Sequence, residues 1–183
     1  MGDQNPKTLY IIRHAESTYN EFDNAWDRPD PIPDPYYFDA DISQRGWEQT
    51  DQLRSFTESI TPPDLIVCSP LKRAILTMEN GLSDWLGSDI PVMIHPDVVE
   101  MLVYSCDIGT PKSELMTMFP NYDFGLIKNE LFWYRNKSSI LILAGIQGIS
   151  IQIQKIIKSY LNIVGTQNRK VFLTRNAIKV RAS

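Results

Sequence analysis

The chain has 183 residues, 43% of them hydrophobic, enough apolar material for one sizeable core and hardly enough for two independent ones. Its 18 Lys and Arg residues against 22 Asp and Glu leave a net charge of -4, and no long basic run offers a nucleic-acid footprint, so a small molecule or a protein is the expected partner. Cys68 and Cys106 lack CxxC spacing, which argues against a disulfide or zinc scaffold; a polar N-terminus and no apolar run approaching the ~20 residues of a membrane span make a cytoplasmic protein the expectation.

In chain order, residues 8–12 are a short apolar, β-prone run ending on Arg13-His14, the pattern of a buried strand that delivers polar groups at its C-terminal end. Chemistry gathers at that end of α/β sheets. Pro29, Pro31, Pro33 and Pro35 then fix φ and remove amide donors, so the segment from Trp26 to Tyr37 is a loop. Trp26, Tyr36, Tyr37 and Phe38 suit a substrate lid and loop packing equally well. Ser43 caps a helix over residues 44–59, with Ile42 and Trp47 spaced as a hydrophobic staple and Leu53, Phe56 and Ile60 continuing the apolar face.

Residues 64–68 read as a second buried strand. Ser69-Pro70 supplies an N-cap and a proline at the first helical position, and Leu71, Ile75, Met78 and Leu82 follow at helical spacing. A third strand is expected at 91–94, a short helix at 111–118, a fourth strand at 140–143 and another helix at 149–161. Strands alternating with helices, without an internal repeat, predict one α/β domain over residues 1–183, with a mostly parallel sheet covered by helices.

Arg13-His14-Ala15-Glu16-Ser17, followed by Asn20, sets a cation, an imidazole and several hydrogen-bonding groups directly after a strand. Arginine presents a planar fork of donors to phosphate oxygens, and a neutral imidazole nitrogen can attack phosphorus and carry the group as a phosphoramidate. A lone Arg-His pair at a strand end is usually structural; its neighbours here favour a site.

The motif resembles the RHG-type motif of the histidine phosphatase superfamily, the phosphoglycerate mutase-like proteins, with Ala15 in place of the usual glycine. The resemblance continues through Asp41-Ile42-Ser43-Gln44-Arg45-Gly46 with Gln49, Cys68-Ser69-Pro70-Leu71-Lys72-Arg73 and His95-Pro96-Asp97-Val98-Val99-Glu100. Residues 106–113 with Phe119-Pro120 are similar to an insertion of eukaryotic members. The resemblance covers residues 9–134 and implies a phosphoglycerate mutase-like fold that needs no metal or cofactor. It makes His14 the phosphoryl acceptor, Arg13, Asn20 and Arg73 phosphoryl-binding residues, and Glu100 the acid that protonates the leaving oxygen. A place for Arg73 in the first turn of a helix suits an anion, because free amides and the positive dipole end lie there. His95 is expected as a strand-edge or core histidine and Cys68 as a small buried hydrophobe.

After Tyr134 the match degrades, and residues 135–183 are the divergent part. The second catalytic histidine implied by the resemblance, a His-Gly pair ending a strand, is absent: the chain has only His14 and His95, and the nearest segment, 140–145, sets Ala144 in its place. Losing one preorganised donor to transition-state oxygens costs about 2.7–4 kcal/mol, or ~10²- to 10³-fold in rate. The expected function is phosphomonoester hydrolysis, on a small phosphorylated substrate or a phosphoprotein. The alternatives are an inactive phosphate-binding or regulatory module and, less favoured for want of a basic cluster, mutase-type phosphoryl transfer.

Overall fold

The run Leu9-Tyr10-Ile11-Ile12-Arg13 forms strand β1 (Leu9–Arg13), with Tyr10 and Ile12 packed against the core and Leu9 and Ile11 on the exposed side, as a period of two requires. The computed structural model describes residues 9–24, 34–100, 102–131 and 171–175. Strand β2 (Leu65–Cys68) is buried at every position, as expected of an interior strand in a parallel sheet. Strand β3 (Val92–Ile94) pairs parallel with β2. Strand β4 (Val171–Arg175) runs parallel between β1 and β2, giving the order β1-β4-β2-β3. Its register sets Arg175 beside Arg13 and Thr174 beside Cys68.

The fold is thus α/β with a parallel sheet, and the first three strands fall within one residue of their expected positions. The fourth strand expected at 140–143, with Ala144, and the helix expected at 149–161 lie outside the described residues. The strand between β1 and β2, residues 171–175, is not among the expected elements.

Helix α1 (Thr18–Asn24) follows β1 closely. Helix α2 (Gln44–Thr57) is capped by Ser43, whose Oγ accepts from the Gly46 amide at 3.1 Å. The staple is not formed as expected: Ile42 is buried, but Trp47 is 39% exposed, and Phe56 is 52% exposed. The close contact at this helix entrance is between Ile42 and Gly46, where a Cβ would stand 2.0 Å from Ile42 Cγ2. Leu53 and Ile60 do pack on the core.

Helix α3 (Lys72–Gly81) begins two residues later than Ser69-Pro70 suggests, with Leu71 as its N-cap. The reason is tertiary. Asp39, from a distant segment, accepts from the Lys72 amide at 2.9 Å and so does the capping that a local side chain was expected to do. Leu71, Ile75, Met78 and Leu82 are all buried, in one core with Ile66, Cys68 and Ile94 of the sheet. Helix α4 (Lys112–Met118) adds Leu115, and Phe124 and Ile127 close the same cluster. Among the described residues no helix is long and apolar enough to cross a membrane.

Candidate active site

His14 is the first residue after β1 and is 7% exposed. Its Nδ1 lies 2.5 Å from the Ala15 carbonyl oxygen, which can only accept, so Nδ1 carries the proton and the lone pair of the neutral ring is on Nε2. Burial, the charge of Arg73 and, to a smaller degree, that of Arg13 push the imidazole pKa down to about 3, against an opposing effect of the Ala15 hydrogen bond. The ring is therefore a neutral base near pH 7, the form that acts as a nucleophile.

The peptide next to His14 is held from α3. The Ala15 amide donates to Thr77 Oγ1 at 2.9 Å, and Thr77 Oγ1 donates to the Arg73 carbonyl at 2.6 Å. Arg73 lies in the first turn of α3, as expected, and is buried. Its Nη2 meets Asp107 Oδ1 at 3.0 Å and its Nη1 donates to the Cys106 carbonyl. The charge of Arg73 acts with burial, in second place, to lower the His14 pKa.

A cavity of about 460 Å³ opens at the end of β1, lined among others by Arg13, His14, Glu16, Asn20, Gln49 and Thr77. Three of the five expected site residues, Arg13, His14 and Asn20, thus share one cavity. Arg73 and Glu100 are not part of its lining. Glu100 is half-buried and follows the 3-10 turn Pro96–Val98, beyond β3 at the far edge of the sheet from β1.

Asn20 has structural work as well. Its Oδ1 accepts from the Ser17 amide at 3.2 Å and the Ser17 hydroxyl at 3.0 Å, while Ser17 Oγ accepts from the Asn20 amide at 3.2 Å. This reciprocal cap starts α1 and uses only the amide oxygen, so the N–H donors are the part of Asn20 suited to an anion. Glu16 anchors the segment to α2: its amide donates to Gln49 Oε1 at 2.8 Å, its carboxylate accepts from Ser43 Oγ at 2.9 Å, and its carbonyl accepts from the Ser43 amide at 2.9 Å.

His95 Nδ1 accepts from the Asp97 amide at 3.1 Å and caps the turn after β3. Cys68 is fully buried in β2, in line with its expected part as a small hydrophobe. Thr77, Asp39 and Asp107 escape sequence reasoning because each acts across a long stretch of chain. The one local hint is that Thr77 lies four residues after Arg73, on the same helix face.

A profile of the histidine phosphatase superfamily (branch 1) matches residues 9–124. The chain is 28% identical over 121 residues to a probable phosphatase of Schizosaccharomyces pombe, an alignment covering 64% of this chain and 52% of that protein. It is also 28% identical over 154 residues to phosphoglycerate mutase-like protein 1 of Arabidopsis thaliana, covering 68% of this chain and 54% of that protein. The chain spans about half the length of these curated relatives. Its fold is similar to that of the ecdysone phosphate phosphatase from Bombix mori, with a TM-score of 0.56 and 15% identity over 93% of this chain and 73% of that one. A phosphoserine phosphatase from Entamoeba histolytica has a similar fold, with a TM-score of 0.52 and 16% identity over 93% and 75% of the two chains. Because the profile spans more than half of its residues and includes the His14 and Arg73 segments, the chain belongs to the histidine phosphatase superfamily, branch 1.

Proposed function

We propose that this chain hydrolyses phosphomonoesters through a phosphohistidine on His14. The observation that carries the reading is the placement of that imidazole, with Nδ1 engaged by the Ala15 carbonyl and the ring lining an open cavity together with Arg13 and Asn20; burial and the charge of Arg73 favour its neutral form. In this reading Nε2 attacks phosphorus while Arg13, Asn20 and Arg73 bind the phosphoryl oxygens. The bond to the leaving oxygen breaks, and Glu100 gives that oxygen its proton. Water then attacks the phosphohistidine, giving a proton back to the Glu100 carboxylate, as the nitrogen–phosphorus bond breaks to release phosphate and restore the imidazole. The substrate is a small phosphorylated molecule or a phosphoprotein, the setting is cytoplasmic, and the step needs neither metal nor cofactor. The phosphatase name of the yeast relative favours hydrolysis over mutase-type transfer.

The test is turnover of a generic aryl phosphate by pure protein, compared with His14→Ala and Arg73→Ala. Activity that disappears in both variants, with an acid-labile phosphoprotein formed by the parent alone, is the expected result. Turnover equal to that of His14→Ala ends the enzymatic reading.

A second reading, a phosphate-binding module without turnover, draws on one observation. His95, the other histidine of the sequence, caps the turn after β3 and is not part of the lining of the cavity at His14. Phosphate binding without turnover would select this reading.

A further inference from the structure

We propose that Asp107 is a positioning residue for phosphate binding, holding the Arg73 guanidinium in one fixed orientation. The proposal rests on the reading of Arg73 as a phosphoryl-binding group.

The geometry has three parts. Arg73 and Asp107 form an ion pair at 3.0 Å with side chains only 3% and 5% exposed. Consecutive residues take two nitrogens of the guanidinium, Asp107 through its carboxylate and Cys106 through its carbonyl. A planar, rigid cation gripped on one edge has a fixed direction for its other donors. The carboxylate is itself fixed, since its second oxygen accepts from the Val103 and Tyr104 amides at 3.0 and 3.1 Å.

The segment that carries Asp107 is tied down on both sides. Asp34 accepts from the Ser105 amide at 2.6 Å and the Ser105 hydroxyl at 2.5 Å. Asp39 accepts from the Thr110 amide at 2.9 Å with one oxygen and from Lys72, the residue before Arg73, with the other. The insertion and the start of α3 are therefore registered against one another at the level where Arg73 emerges. A buried ion pair is a poor source of net stability, because desolvation offsets much of its attraction. Its value here is geometric.

A carboxylate beside a phosphate-binding arginine could instead compete with phosphate, and the two roles have opposite signs. Titration of the full chain with inorganic phosphate separates them. Asp107→Asn keeps the shape and removes the charge; a positioning role predicts affinity weaker by roughly tenfold or more. In an Arg73→Gln background the same change should do almost nothing further, because Asp107 acts through Arg73. Asp107→Glu keeps the counter-charge and displaces the guanidinium by about one methylene, so it should weaken phosphate binding, with a melting scan reporting the separate overpacking cost of the added methylene. It also decides the matter should Asp107→Asn fail to fold. Unchanged or tighter phosphate binding in these variants, or an equal loss with and without Arg73, overturns the proposal and leaves the phosphatase reading standing. Parent protein that binds phosphate without turning over an ester ends the phosphatase reading alone, and parent protein that binds no phosphate ends both.

Discussion

Thr77 joins Ala15 to α3: its hydroxyl accepts the Ala15 amide at 2.9 Å, and the carbonyl of that same Ala15 receives the His14 Nδ1 proton. Thr77→Val keeps the side-chain shape and leaves a buried amide without its acceptor, at a cost of ~1–3 kcal/mol. Urea unfolding measures that loss. Aryl phosphate turnover should fall too, because the residue that orients the imidazole is no longer held. Stability equal to the parent would show that another acceptor replaces the hydroxyl.

Gly46 is the residue on which the contact between the β1 exit and α2 depends. A Cβ there would stand 2.2 Å from the Glu16 carbonyl oxygen as well as against Ile42. A backbone oxygen cannot swing aside as a flexible side chain does, so Gly46→Ala should destabilise by ~1–3 kcal/mol through overpacking. For a chain of this length the melting midpoint then drops by roughly 2–4 °C per kcal/mol. Calorimetry checks it, and an unchanged midpoint would contradict the close approach.

His14 supplies a pH signature. Its folded pKa of about 3 lies below the ordinary imidazole value of 6.5, so between these values the unfolded chain holds more protons and stability rises with pH. The contribution is complete above pH 6.5 and is lost progressively as pH falls toward 3, with a slope approaching ~1.4 kcal/mol per unit from this group. The His14 ring resonances should not titrate between pH 5 and 8, and the acid limb of unfolding stability should flatten in His14→Ala. A ring that titrates near pH 6.5 would sink this account and weaken the nucleophile reading.

Thiol labelling probes the same region. Cys68 and Cys106 are both buried, and burial and Asp107 push the Cys106 thiol up to about 12. Thiolate is the reactive form, so a disulfide reagent at pH 8 should label neither residue quickly in the folded protein and both on adding denaturant. Fast labelling of Cys106 would mean that the segment around Asp107 opens.

Strong local signals made much of this molecule legible. The apolar runs of β1 and β2, the helical spacing of Leu71, Ile75, Met78 and Leu82, and the Ser43 cap all lead to elements close to those observed. Helix α1 was hidden because its start rests on the Ser17–Asn20 exchange rather than on an apolar stripe, and the same exchange gives Asn20 a structural task beside its proposed one. The site divides in the same way. Arg13, His14 and Arg73 stand in motifs, whereas Thr77 meets Ala15 from 62 residues away and Asp107 meets Arg73 from 34. Such partners are set by tertiary packing, which no local pattern encodes.

The strand that fills the middle of the sheet is supplied by residues 171–175, far later in the chain than its neighbours β1 and β2. During synthesis those two strands must wait, their facing amides and carbonyls unsatisfied, until more than a hundred further residues beyond β2 have emerged. Such distant pairing is slow, and open strand edges invite association with other chains. Nascent chains halted before residue 171 should therefore bind holding chaperones and aggregate, and folding should be governed by capture of this late-arriving strand.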